Sequence, residues 1–93
     1  MKAHSVTTSP TLLWPAGTIA GHILYNASDE TLYFAPDGDA AVTASTGIPI
    51  APGQHIFYEP VSFGPAGPPA CYVIHGGTGS KLLRYGNSAY VAA

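Results

Sequence analysis

The chain has 93 residues, enough for one domain with a modest core, and only 9% of them are charged, for a formal net charge of −2. Three basic residues are too few for the row of phosphate contacts that nucleic-acid binding needs. No apolar run approaches the roughly 20 residues of a membrane-spanning helix, and no apolar N-terminal segment indicates export. We therefore expect a protein without nucleic-acid or membrane partners.

Residues 1–18 are predicted to form an N-terminal arm or an edge strand, because two prolines interrupt the segment and proline cannot donate to a β-ladder. Leu12, Leu13 and Trp14 lie between these prolines. Tryptophan is enriched among the residues that dominate interface energy, so we expect Trp14 to contact a neighbouring subunit. The alternative is that Trp14 packs into the open end of the protein's own fold.

Residues 19–93 are predicted to form a single β-domain. Aromatic and β-branched runs alternate with turn residues, and no apolar window keeps helical periodicity for more than two turns. The predicted strands lie at residues 19–26, 31–35, 40–44, 54–59, 70–75 and 81–85, with a closing strand at 89–91. This spacing predicts an all-β fold, a small antiparallel β-sandwich or barrel of about seven or eight short strands.

Two connections are predicted to be hairpins. Residues 26–30 carry short polar side chains that bond to nearby backbone, and they join the runs at 23–25 and 32–34. Residues 76–80 are glycine-rich, which suits a flexible loop between two strands. They do not match a phosphate-binding loop, because that loop needs Gly-Lys-Ser/Thr leading into a helix.

Residues 47–53 are predicted to form a structural crossover. Pro49 and Pro52 set two φ angles and remove two amide donors, so the segment cannot continue a central ladder. Ile48 and Ile50 alternate with Pro49 and are expected to enter the core. Pro52-Gly53 has the order of a type II turn.

Strand alternation divides the apolar residues into two faces. The predicted core set is Ile23, Tyr25, Leu32, Phe34, Ile56, Tyr58, Cys71, Val73, Leu83 and Tyr85. A second apolar set, Leu24, Tyr33, Phe57, Ile74 and Leu82, is too large to leave exposed on a monomer, which favours an oligomer. The candidate interface residues are Leu12, Leu13, Trp14, Tyr33, Phe57, Tyr72 and Tyr90.

No motif in the chain predicts catalysis, a cofactor or a metal. The four histidines are not spaced as metal ligands, Asp37-Gly38-Asp39 fits a solvated turn, and no Gly-x-Ser-x-Gly elbow occurs. Cys71 lies among apolar strand residues and is predicted to be a small buried hydrophobe. Asn26-Ala27-Ser28 matches a glycosylation acceptor, but it is interpreted as a turn. We predict a protein that is not an enzyme.

Three further segments stand out beside Asn26 and its serine-containing turn. They are LYFAPD at 32–37, VTASTGIPIAPGQ at 42–54 and ACYVIHGGTGSKLLRYG at 70–86. Together they resemble a family of small tailed-bacteriophage virion accessory proteins, of the capsid decoration (cement) or head-fibre type. The likeness covers roughly residues 23–85. It implies a β-sandwich without enzymatic activity, located in the virion and assembled in the host cytoplasm.

This resemblance predicts a decoration protein that binds the major capsid protein on the outer surface of the capsid and stabilises the shell. A homotrimer would match the threefold positions of an icosahedral shell. The alternative is a head-fibre or tail-tip module that recognises a host-surface glycan, or a neck or tail adaptor. In the glycan hypothesis the flat faces would come from Tyr58, Tyr72, Tyr85 and Tyr90.

Overall fold

The computed structural model describes residues 1–17, 20–58 and 68–89, and in that part of the chain every regular element is a β-strand. The strands are β1 Lys2–Val6, β2 Thr11–Trp14, β3 Ala20–Asn26, β4 Leu32–Ala35, β5 Ile48–Ile50, β6 His55–Tyr58, β7 Cys71–His75 and β8 Lys81–Ala89. They form two antiparallel four-stranded sheets packed face to face. The prediction of a small all-β sandwich is confirmed.

The first sheet has the strand order β1-β8-β3-β6, and the second has the order β2-β7-β4-β5. Consecutive strands therefore change sheet at every connection except the one from β4 to β5. The predicted hairpins at 26–30 and 76–80 are wrong, because β3 and β4 lie in different sheets, as do β7 and β8. Their short polar loops cross from one layer of the sandwich to the other.

The first two strands belong to the sandwich and do not form a separate arm. β1 is the edge strand of the first sheet, and β2 is the edge strand of the second. The register of β2 against β7 shifts between Leu12 and Trp14, which marks a bulge. His4 on β1 joins the two edges through a 2.9 Å hydrogen bond between its Nε2 and Thr11 Oγ1.

The predicted strand at residues 40–44 is wrong, because residues 36–47 form a loop of successive turns. The Val42 amide donates to the Asp39 carbonyl, and the Gly47 amide donates to the Thr43 carbonyl at 2.9 Å. The Ala41 amide donates to Asp39 Oδ1. Short polar side chains and nearby carbonyls bind these amides locally, so no strand ladder forms.

Residues 48–50 form an edge strand, so the predicted crossover at 47–53 is correct only for the connection after β5, where residues 51–54 pass from the second sheet to the first. β5 pairs with β4, and Pro49 lies opposite Tyr33. Ile50 is fully buried as expected, whereas Ile48 is 47% exposed. Only Ile48 departs from the prediction, because β5 is an edge strand in which Ile50 faces the core and Ile48 extends past it. The turn after β5 is as predicted, with Gly53 at φ +76°.

The main core lies between the sheets and comes from both of them. Its buried members are Val6, Leu13, Trp14, Leu24, Leu32, Phe34, Ile50, Cys71, Val73 and Leu83. The predicted faces are correct for β4, β6, β7 and β8 but wrong for β3, where Leu24 is buried and Tyr25 is 37% exposed. Both faces of β3 carry apolar side chains, and the inner face also buries the polar residues His22 and Asn26.

A second, smaller core covers the outer face of the second sheet. Val42, in the loop at 36–47, is 1% exposed and packs with Ala35 and Ile74, beside the half-buried Tyr33 and Tyr72. The chain thus covers by itself a face that was expected to need a partner. Of the predicted second apolar set, Phe57 remains the large exposed member, at 60%.

Candidate interaction surface

The outer face of the first sheet exposes a row of apolar side chains. Ile23 lies opposite Phe57 on β6 and opposite Gly86 on β8. A Cβ at Gly86 would lie 3.5 Å from Ile23 Cγ2 and 3.7 Å from Met1 Cγ, so these two side chains close over the glycine. Met1 is 64% exposed and Phe57 60%. We call Met1, Ile23 and Phe57 the apolar stripe.

A second row lies beside the stripe on the same face. Tyr25 pairs with His55 on one side and with Arg84 on the other, and Arg84 in turn pairs with Ala3. Tyr25 is 37% exposed, and Arg84 is exposed without an ion pair to any residue that the structure describes. The outer face therefore combines exposed aromatic rings with one cation.

The acidic side chains in residues 1–17, 20–58 and 68–89 lie away from this face. Asp29 and Glu30 belong to the loop between β3 and β4, where Asp29 Oδ1 accepts a 2.9 Å bond from Lys81 Nζ. That cation lowers the pKa of the Asp29 carboxyl. Asp37 and Asp39 belong to the loop that covers the second sheet. The outer face of the first sheet is thus poor in charge, as interface centres are.

The seven candidate interface residues do not form one surface. Phe57 belongs to the stripe, while Leu12 is 47% exposed on the opposite, outer face of the second sheet. Leu13 and Trp14 are buried in the main core, at 6% and 4% exposure. Tyr33 and Tyr72 are half-buried in the second core, and Tyr90 lies outside the described residues. For Trp14 the structure agrees with the alternative, packing inside its own sandwich.

Sequence reasoning missed most of the surface that the structure reveals. The predicted core set includes Ile23 and Tyr25, which lie on the outer face, and the candidate interface residues include neither Met1 nor Arg84. The sequence carries no signal for the inner face of β3, because the strand has apolar residues on both faces. The inward position of Asn26 is seen only in the fold, and strand alternation then places Tyr25 outside.

Asn26 holds one end of the sandwich together. Its side chain is fully buried, and Nδ2 donates to the carbonyls of Glu30 at 2.7 Å and Ile50 at 2.8 Å. Its Oδ1 accepts from the Ser28 amide at 3.0 Å and from the Ser28 hydroxyl at 2.6 Å. The interpretation of Asn26-Ala27-Ser28 as a turn is confirmed, and the amide is inaccessible to a glycosylating enzyme in the folded chain.

His75 organises the glycine-rich loop beside it. The Gly77 amide donates to His75 Nδ1 at 3.0 Å, so the ring proton lies on Nε2, which donates to the Gly79 carbonyl at 2.6 Å. Glu30 passes over Gly77, where even a Cβ would come within 2.6 Å of its Oε1. The amide of Gly77 is therefore engaged by the imidazole, and a carboxylate covers the loop. This arrangement disfavours an anion there.

The remaining tyrosines of the glycan hypothesis do not share a face. Tyr58 and Tyr85 pack against the main core from the inner face of the first sheet. Tyr72 belongs to the second core on the other side of the molecule. Among the three described tyrosines of that hypothesis, no two form an exposed platform.

Cys71 is fully buried, and its burial raises the pKa of the thiol to about 12. The prediction of a small buried hydrophobe is confirmed. Among the residues that the structure describes, no three His, Cys, Asp or Glu side chains are grouped to hold a metal ion. In the same ranges, no helix has the length and apolarity needed to cross a bilayer.

No protein-family model matches the chain, and neither does any curated protein or solved structure. The sandwich and its exposed outer face are therefore the observations from which a function is inferred.

Proposed function

We propose that this chain is a structural protein of a tailed-bacteriophage virion, a decoration or cement protein that binds the major capsid protein on the outer surface of the capsid and stabilises the shell. The resemblance of residues 23–85 to small virion accessory proteins suggests the setting. The exposed outer face of the first sheet suggests the means of binding, and it is the observation on which the proposal rests.

The apolar stripe is suited to protein contact. Met1 and Phe57 are each more than half exposed, and Tyr25 adds a third large side chain on the same face. Solvent-exposed apolar side chains gathered on one face mark interaction surfaces, whereas isolated ones are normal. Arg84 can add one charge-assisted hydrogen bond to a carboxylate of the coat protein, which would set the orientation of the bound subunit.

The face spans only four short strands, so a single contact would be weak. A capsid offers many copies of the coat protein, and a subunit that bridges two of them gains from effective concentration. Stabilisation of the shell would follow, because breaking the lattice would also expose the buried stripe.

The experiment is quantitative mass spectrometry of purified particles from a phage that encodes the chain. A decoration protein should be present in hundreds of copies per particle, and its deletion should lower the temperature or osmotic shock at which capsids rupture. The proposal would be contradicted by a copy number near that of the tail proteins together with a rupture temperature and osmotic resistance that deletion leaves unchanged.

Two matched substitutions test the docking surface. Tyr25→Ser removes an aromatic ring from the outer face of the first sheet, and Ile48→Ser removes a similarly exposed apolar side chain from the edge of the second sheet. We expect Tyr25→Ser to reduce capsid occupancy and Ile48→Ser to leave it near wild type. Equal occupancy of the two variants would exclude this face as the docking surface.

A further inference from the structure

The edges of the two sheets are protected unequally. In the second sheet, the edge strand β5 contains Pro49, and the edge strand β2 carries a bulge. Both are devices that prevent pairing with another strand. In the first sheet, the edge strand β6, His55–Tyr58, has neither a proline, a bulge nor a formal charge, and it is rich in apolar residues.

The hydrogen bonds of the neighbouring strand show which backbone groups of β6 point outward. The Asn26 amide donates to the Gln54 carbonyl, and the Ala27 amide donates to the Leu82 carbonyl on the other side. Backbone groups alternate between the two sides of a strand. Consequently Leu24 and His22 bond toward β6, and their partners Ile56 and Tyr58 bond back.

His55 and Phe57 therefore direct their amides and carbonyls away from β3. Among the described residues, β6 ends the sheet on that side, so these groups face its open edge. His55 is exposed and the Phe57 side chain is 60% exposed, so an incoming strand would also meet side chains on the outer face.

A second copy of β6 fits this edge in one antiparallel register. With a twofold axis at Ile56, His55 of one copy faces Phe57 of the other, and the outward groups of these residues form about four hydrogen bonds. The imidazole of one copy then lies beside the phenyl ring of the other, and the two Ile56 side chains meet on the inner side. No formally charged side chains of β6 oppose each other, so like-charge repulsion, the usual protection of an edge, is absent.

We propose that two copies of this chain associate through β6, joining their first sheets into one eight-stranded sheet. Phe57 and Ile23 of both copies then lie on the same outer face, which doubles the length of the apolar stripe. The pairing gives a dimer in place of the expected trimer. It is independent of the capsid role, because both partners are this chain.

The test is sedimentation equilibrium of the purified full chain from about 1 to 300 µM, the range in which a small interface associates. Phe57→Pro removes an outward amide that β3 does not use, as Pro49 does in β5, and should weaken the dimer at least tenfold. Phe57→Lys keeps the amide, places a charge at the edge and should weaken the dimer similarly. Ile48→Lys is the matched control on the protected edge and should leave the dimer unchanged.

Hydrogen exchange identifies the contact. The amides of His55 and Phe57 should exchange more slowly at high than at low protein concentration, while those of β5 should not change. A wild-type chain that stays monomeric throughout the range would overturn the proposal. A dimer whose dissociation constant changes equally in Phe57→Lys and Ile48→Lys would also overturn it. The same holds for a dimer whose formation leaves the exchange rates of the His55 and Phe57 amides unchanged. If Phe57→Pro fails to fold, Phe57→Lys and hydrogen exchange decide.

Discussion

Trp14 and His22 lie stacked in the core, with ring centroids 3.7 Å apart and ring planes 3° from parallel. Trp14 comes from the edge of the second sheet and His22 from the centre of the first, so the stack joins the two layers. Tyr58 extends it, with its ring centroid 5.9 Å from that of Trp14.

Removal of the Trp14 indole should therefore lower the stability of the fold. We expect Trp14→Ala to lower the free energy of unfolding by about 3–5 kcal/mol, the range for a truncated core aromatic. Leu12→Ala, at an exposed position in the same strand, is the control and should change stability by less than about 1 kcal/mol. Denaturant melts measure both. Equal losses would show that Trp14 does not join the sheets.

β5 provides a matched pair of isoleucines. Ile50 is fully buried in the main core and Ile48 is 47% exposed. We expect Ile50→Ala to cost about 2–5 kcal/mol of folding stability, because it leaves a cavity. Ile48→Ala should cost less than about 1 kcal/mol. A denaturant melt in which Ile50→Ala costs no more than Ile48→Ala would contradict the position of β5 in the sandwich.

Replacement of Asn26 should destabilise the corner where the two sheets meet. Each buried group left without its partner costs about 1–3 kcal/mol. Asn26→Ala removes the acceptor of the Ser28 amide and one donor from each of the Ile50 and Glu30 carbonyls, and the Glu30 carbonyl keeps the Ser28 hydroxyl as a donor. We expect a loss of about 2–3 kcal/mol in thermal or denaturant melts. Ser28→Ala removes only the hydroxyl contacts and should cost less.

Asn26→Asp should make the free energy of unfolding depend on pH. The new carboxyl would lie buried beside two carbonyl oxygens, and burial raises the pKa of a carboxyl in the folded state. A raised folded pKa means that stability is greatest at low pH and is lost as the pH rises above about 4, the value in the unfolded chain. The stability difference between wild type and Asn26→Asp should therefore widen from pH 4 to pH 7. A constant difference would contradict burial of this side chain.

His4 should make the protein sensitive to mild acid. Burial lowers the pKa of its imidazole below 6.5, so between the folded and unfolded values the unfolded chain binds more protons. The contribution of His4 to stability is therefore complete above pH 6.5 and falls as the pH decreases below it. His4→Gln does not titrate and should lose less stability between pH 7 and pH 5. Parallel pH profiles for both proteins would exclude this role.

Cys71 should report on global unfolding. With its thiol pKa at about 12, it carries almost no thiolate at pH 8. A thiol reagent should therefore modify the native protein slowly, at the rate at which the sandwich opens, and modify the denatured protein quickly. Rapid modification without denaturant would contradict burial between the sheets.

The sequence predicted the all-β class, most strand positions and the turns at Pro52-Gly53 and Asn26-Ala27-Ser28, because these depend on local chemistry. Proline and glycine restrict φ within one or two residues, and alternation identifies a strand wherever one face is clearly apolar. The burial of Cys71, Leu32, Phe34 and Val73 followed from the same patterns.

Only the tertiary structure decided which strands pair and which face of β3 is inside. Turn residues reverse the chain equally well within a sheet or between two sheets, so the loops at 26–30 and 76–80 do not reveal that they cross the sandwich. β3 is apolar on both faces. The stacking of Trp14 on His22 and the hydrogen bond from Asn26 to Ile50 determine which face is buried. Trp14 belongs to the other sheet, and Ile50 lies 24 residues from Asn26. The exposed outer face, and the edge that β6 forms among the described residues, therefore became visible only in the folded chain.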